Sequence, residues 1–249
     1  MKIIKNSKYS KYIRNFLGYK PALTIINSNI KNLSTSDAFF WRTDSNFKTI
    51  FRYTDIFKLF FNDPTSKAEI IFYDRNSKFL KKIIFEDLDL SNNLVIDKNF
   101  MNNIEDYGTF YIFHYSNINN NSIIRNSCYT GYSQSDNLPS FVHGNTVTAL
   151  RNLNDNQVEF GIGGKTFFKN NIFQIQNSFK NSKVELMIMN PTNQELKIII
   201  NDEEFGLGTC CSIIKKFERI QTIKIISKCY LLRPIVFSYR DKFLDVYHG

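Results

Sequence analysis

Residues 69–77, Glu69-Ile-Ile-Phe-Tyr-Asp-Arg-Asn-Ser77, set a short apolar run against a polar turn cluster, and a second apolar run, Phe79-Leu-Lys-Lys-Ile-Ile84, follows. Two β-favouring segments parted by turn residues are the signature of a β-hairpin. With the chain slid against itself by 116 residues, the stretch from Phe51 to Ile84 lies over Phe167 to Ile200 without a gap. Phe51, Ile56, Phe57, Ser66, Lys67, Glu69, Leu80, Lys81, Ile83 and Ile84 then meet identical residues. Ten identities in 34 positions stand against about two or three expected by chance in so biased a composition. The hairpin pattern recurs as Glu185-Leu-Met-Ile-Met-Asn-Pro-Thr-Asn193 and the run up to Ile200.

Working outward, the two halves also end alike. Pro139-Ser-Phe-Val-His-Gly144 matches Leu244-Asp-Val-Tyr-His-Gly249 in closing a β-favouring run with His-Gly, now at an offset of 105. The first half therefore carries an insertion, and the polar run Asn117-Ile-Asn-Asn-Asn-Ser122 has no periodicity that would place it elsewhere. The expected organisation is a basic arm over residues 1–35 and two related β modules over 36–146 and 147–249. Strands are expected near 38–43, 48–54, 68–73, 79–85, 107–115 and 139–143 in the first module. In the second they fall near 157–161, 165–169, 184–189, 195–200, 221–227 and 233–247, the last as a hairpin around Arg240-Asp241. Short strands at this spacing predict an all-β fold, a tandem duplication of two antiparallel β-sandwich-like modules. The Asp106-x-Gly108-x-Phe-Tyr run resembles the corner before a late strand of immunoglobulin-like folds and implies the same all-β class.

Composition fits. Phe (24) and Tyr (13) are abundant while Gly (10) and Pro (5) are scarce among 249 residues, a balance suited to half-buried pleated surfaces. The net charge of +9 is unevenly placed. Residues 1–35 hold Lys2, Lys5, Lys8, Lys11, Arg14, Lys20 and Lys31 and no acidic residue, so the body beyond them is nearly neutral. A basic stripe following phosphates across a folded surface is not indicated, which argues against nucleic acid as a partner. Ile4, Tyr12, Ile13, Phe16 and Leu17 alternate with the arm's lysines as a rough amphipathic helix stopped by Gly18 and Pro21. Such a helix packs against a module, touches an anionic membrane surface or polyanion weakly, or frays as a terminus.

No apolar run is long enough for a transmembrane helix, and Ile3-Ile4 gives way at once to Lys and Asn, unlike a secretory signal. Cys128, Cys210, Cys211 and Cys229 have neither zinc-site nor disulfide-framework spacing, so reduced thiols in a cytoplasmic protein are expected.

Few constellations promise chemistry. Gly161-Ile-Gly163-Gly164-Lys165-Thr166 ends like a phosphate-binding loop, but the position that needs the first glycine is Glu159. Its flanks read as two strands, so a glycine-rich hairpin turn is expected. His114 lies in an aromatic run and reads as a core residue, while His143 and His248 close the two modules at equivalent places. Two aromatic-Arg-Asp strands, Phe40-Trp41-Arg42-Thr43-Asp44 and Phe51-Arg52-Tyr53-Thr54-Asp55, have no clear copy in the second half. Alternation puts Arg42 and Asp44 on one face and Trp41 on the other. A guanidinium beside a carboxylate with exposed aromatics can hold a sugar or acidic group by bidentate hydrogen bonds and stacking. The alternative is a cross-strand ion pair with the aromatics in the core. Tyr129-Thr-Gly131-Tyr132, with the polar run after it, reads as an irregular loop.

No nucleophile–base pair, cofactor motif or metal-ligand pattern is present. The candidate binding residues are Arg42, Asp44, Arg52, Asp55, Tyr132 and His143. The expected function is a non-catalytic recognition or assembly protein with a carbohydrate or protein ligand. The competing reading is a sugar-active enzyme with an Arg/Asp/His cleft on the first module.

Overall fold

The structure is a computed structural model. It describes Tyr9, Tyr12 and Ile13, then residues 33–118, Arg125, and residues 128–135, 137–153, 156–166, 168–177, 182–219, 222–240 and 243–249. Most of the basic arm and of the insertion at 117–122 therefore lies outside the described residues.

The all-β expectation holds. Nineteen strands are described, and among the described residues beyond the arm the only α-helix is α1 (Ile56–Phe61), capped by the Asp55 carboxylate accepting from the Lys58 amide. Among the described residues no helix is long and apolar enough to cross a membrane. Every pairing between the described strands is antiparallel. One sheet runs β2 (Phe39–Arg42), β7 (Tyr107–Tyr115), β4 (Lys67–Asp74), β5 (Phe79–Phe85). A second runs β6 (Ser91–Ile96), β3 (Phe47–Thr54), β8 (Tyr129–Gln134), β9 (Ser140–His143). A third runs β12 (Asn171–Gln176), β17 (Thr222–Ser227), β14 (Leu196–Ile200), β15 (Glu203–Leu207). The fourth is β16 (Ser212–Phe217), β13 (Lys183–Met189), β18 (Ile235–Arg240), β19 (Phe243–His248). A three-stranded sheet joins β1 (Leu33–Asp37), β10 (Val147–Asn152) and β11 (Val158–Phe160). Five small sheets give the molecule the look of a five-bladed propeller rather than a clear pair of tandem sandwiches.

Local sequence explains the strands that position the core. Along β3 the residues Phe47, Thr49, Phe51 and Tyr53 are buried while Arg52 is exposed, the period of two that a sheet with one wet face requires. β7 is buried from Gly108 to His114 because it pairs on both sides, with β2 and β4. Trp41 donates its indole N–H to the Tyr73 carbonyl at 2.8 Å, so its polar edge is satisfied inside the core. The partner strand must pass close by: a Cβ on Gly108 would lie 2.1 Å from that same carbonyl oxygen. Only glycine fits there.

Three sequence expectations need correction. The second copy of the hairpin does not form one: β4 pairs with β5, but β13 and β14 lie in different sheets. Turn residues between two apolar runs do not say whether the second run folds back on the first or crosses to another sheet. Residues 129–134, expected as a loop, are β8, which pairs with both β3 and β9. Its polar Thr and Ser side chains hid a strand that is buried from Thr130 to Ser133. The segment after β11 is not a hairpin. Ile162 bridges Thr192, Lys165 bridges Cys229, and the Gly163 amide donates to the Pro191 carbonyl at 2.8 Å. Gly161 has a φ of 72°, and a Cβ on Gly163 would lie 2.4 Å from the Pro191 oxygen, so these glycines serve a close crossing of chains.

Candidate functional site

The six candidate residues do not line one cleft. Arg42 is fully buried. Its guanidinium donates to both Asp44 carboxylate oxygens, at 2.9 and 2.8 Å, and to Glu185 at 2.8 Å. It lies 3.9 Å from the centroid of the Phe47 ring and 4.7 Å from that of Phe237. Burial pulls the Arg42 pKa down, but Asp44, Tyr239 and Glu185 more than offset it and the net shift is upward. Burial likewise pushes Glu185 up, and Arg42 and Tyr239 bring it below the ordinary carboxylate range. The rings lie in the core, as the alternative reading expected, but the ion pair is not cross-strand: it joins the two halves of the chain.

Asp55 is also buried. Besides capping α1 it accepts from Ser66 at 2.5 Å and faces His114 at 3.2 Å. Burial, against the opposing pull of Asp55, lowers the His114 pKa to about 4, so at neutral pH the ring is an uncharged core residue. Tyr132 is fully buried with its hydroxyl donating to the Phe40 carbonyl at 3.0 Å. Arg42, Asp44, Asp55 and Tyr132 thus belong to the packing of the fold.

Arg52 and His143 are different. Strand register sets Arg52 of β3 directly opposite Tyr129 of β8, and Tyr129 directly opposite His143 of β9. Residues opposite one another share a face, so the three side chains form a row on the outer, exposed face of the β6-β3-β8-β9 sheet. The Tyr129 and His143 rings stand 4.6 Å apart. In the neighbouring row Gly131 lies opposite Phe141, whose ring occupies the space a Cβ on Gly131 would need. The Arg52 guanidinium sits 4.7 Å from the centroid of that ring. Two exposed or half-exposed rings, an imidazole and a guanidinium therefore share one flat surface. Such a platform can stack on the apolar face of a sugar ring and donate paired hydrogen bonds to its oxygens. Sequence reasoning missed Tyr129 and Phe141. The signal was there, in the alternation Tyr129-Thr-Gly131 and Phe141-Val-His143, but the polar character of β8 concealed it.

At one end the platform borders a cleft of about 390 Å³ lined by Asp37, Arg125, Cys128, Tyr129, His143, Gly144 and Arg233. Arg125 holds the buried Asp37 carboxylate with two bonds of 2.8 and 2.7 Å. Burial raises the Asp37 pKa, and Arg125 and then Arg233 oppose the rise. The Cys128 thiol is pushed well above its ordinary value, chiefly by burial and then by Asp37. A thiol so shifted stays protonated and is a poor nucleophile. Among the described residues no group of three or more His, Cys, Asp or Glu is placed to hold a metal ion.

No family model matches the chain, and no curated protein does. Among solved structures, an anti-sigma factor domain-containing protein is 11% identical over 85% of this chain and 82% of its own, with a TM-score of 0.22. The major pilin protein (T-13) from Streptococcus pyogenes is 10% identical over 84% of each chain, with a TM-score of 0.21. At such scores neither likeness bears on function.

Proposed function

We propose that this chain is a non-catalytic recognition protein, built as a tandem repeat of β-sandwich type, that binds carbohydrate on the outer face of β3, β8 and β9. The row Arg52–Tyr129–His143, with Phe141 under the guanidinium, carries this reading. The competing enzyme needs Arg42 and Asp55 at the surface, and both are buried with partners.

Sheet order supports the duplication better than the gapless alignment at 116 does. Adding ten to each strand number turns the order 2-7-4-5 into 12-17-14-15, and 6-3-8-9 into 16-13-18-19. β10 lies between β1 and β11, the strands that the same rule equates. Within each half, the strands divide between two sheets that share a core. Residues of β2, β4 and β7 pack with those of β3 and β6, and residues of β12, β14, β15 and β17 pack with those of β13 and β18. That is how two sheets of a sandwich face each other. On this reading the offset between equivalent strands falls from β3 and β13 onward, as the insertion and the shorter loops of the second half accumulate, and the module 36–146 gains β1 as its first strand beside the module 147–249. Four free cysteines are in keeping with a cytoplasmic setting.

The test is a glycan binding screen of the wild type beside Arg52→Ala and Tyr129→Ala. The expected result is binding that either substitution weakens about tenfold or more, since a lost charge-assisted bond or stacked ring costs on the order of 1.5 kcal/mol. A wild type that binds no glycan, or variants that bind as well, would overturn the carbohydrate reading.

A further inference from the structure

We infer that the cleft beside the platform receives an anionic group, and that the sugar bound here carries a carboxylate or sulfate. The inference rests on the carbohydrate reading for its sugar and on the cleft alone for its charge. Two guanidiniums line the cleft, and one carboxylate does. Asp37 is engaged at both oxygens by Arg125, a closed pair. Arg233 is left over. Its Nη1 donates to the Asn145 carbonyl at 3.2 Å, and among the described residues no carboxylate lies within ion-pair distance of it. Being half-buried, it loses part of its hydration, and the nearby Arg125 charge adds to the cost, which Asp37 offsets only in part. A bound anion would remove that excess charge and supply the missing acceptor.

The walls favour a small group on a larger, ring-bearing ligand. Gly144 brings backbone to the floor, since a Cβ there would lie 2.7 Å from the Asp37 carboxylate and 2.6 Å from the Phe39 ring. Tyr129 and His143 belong both to the cleft and to the platform row. A ring stacked on the platform would therefore hold a substituent over the cleft mouth, within reach of Arg233 and of the exposed Arg125. The two arginines come from opposite halves of the chain, each from the segment just before a strand, β8 for Arg125 and β18 for Arg233. The halves are tied at this point by His248, whose Nε2 lies 3.0 Å from the His143 carbonyl oxygen. The site is incomplete in either half alone.

Two measurements on the full-length protein test this. Thermal unfolding is followed in sodium sulfate against sodium chloride at matched ionic strength, for wild type, Arg233→Gln and Arg233→Lys. Sulfate stabilises proteins in general, so the readout is the difference between variants. The sulfate-specific gain is expected in the wild type, in part in Arg233→Lys, and not in Arg233→Gln. If Arg233→Gln does not fold, the comparison of wild type with Arg233→Lys stands in its place. Equal gains in all variants would overturn the anion site. Separately, trigalacturonate and its neutral counterpart trigalactose are titrated into wild type and Arg233→Gln. Tighter binding of the acidic trimer by tenfold or more, lost in Arg233→Gln, is the expected result. Equal binding of both trimers sinks the acidic-sugar inference and leaves the platform reading standing. A sulfate effect without binding of either trimer keeps the anion site and rejects its sugar.

Discussion

Arg42 and Arg52 carry the same guanidinium into opposite surroundings. On β2 and β3 each follows an aromatic residue directly and has a Thr and then an Asp further on, at Thr43-Asp44 and Thr54-Asp55, so the local pattern is much the same. Arg42 is buried between Asp44 and Glu185 and stacked between two rings, whereas Arg52 lies in water over Phe141. Truncating a fully buried partner strands the other charge and costs about 3–5 kcal/mol. Losing an exposed one changes stability by about 0–1 kcal/mol. Urea unfolding of Arg42→Ala is therefore expected to show a large loss of stability, and Arg52→Ala almost none. Equal losses would mean that burial does not distinguish them. Glu69 mirrors Glu185: it is buried and paired with Arg151 from beyond the first module, with Lys82 at 3.5 Å. Each half thus supplies one arginine to a buried glutamate of the other.

Among the elements, β2, β4 and β7 show how closely strand and glycine are matched. Trp41 reaches across to the Tyr73 carbonyl, and Gly108 passes both. Gly108→Ala would set a methyl 2.1 Å from that oxygen and 2.8 Å from the indole nitrogen. Backbone cannot swing aside as a side chain can, so the expected loss is at or above the upper end of about 1–3 kcal/mol for overpacking. Gly208→Ala is the control, because its nearest neighbour would be the Cys211 Sγ at 3.2 Å. Thermal unfolding of the pair checks the argument, and a harmless Gly108→Ala would refute it. β8 teaches the complementary point. Its Thr130 is buried between β3 and β9, and its Ser133, buried and paired with β3 alone, donates its hydroxyl to the Asn137 carbonyl at 2.6 Å.

Over the whole molecule, one core crosses from half to half. Phe40, Phe47, Ile71, Tyr111 and Tyr132 pack with Met187, Met189, Phe237, Leu244 and Val246. Neither half could keep this surface dry alone. The chain is expected to unfold in a single transition despite its division into five sheets. Trp41, the only tryptophan, is buried in the core of the first half and reports on that half, while far-UV circular dichroism reports on both. The two signals should share one urea midpoint. Separate midpoints would show halves that fold independently.

Pattern along the chain was enough for the all-β class and for the strands whose residues alternate or run apolar. Tyr107–Tyr115, Phe79–Phe85 and the closing hairpin of β18 and β19 stand where the sequence placed them. So does the core position of His114. These follow from side-chain period and turn chemistry, which act over a few residues. Which strand neighbours which was not legible, because 185–200 and 69–84 share a pattern yet one crosses between sheets and the other turns back. Nor was the fate of each polar residue. Arg42 and Arg52 differ only in what lies opposite them, and Tyr129, Phe141 and His143 meet only because register sets β8 and β9 side by side. Burial and cross-strand neighbours are set by contacts between distant parts of the chain, so the ion pairs, the platform and the cleft were decided by the tertiary structure alone.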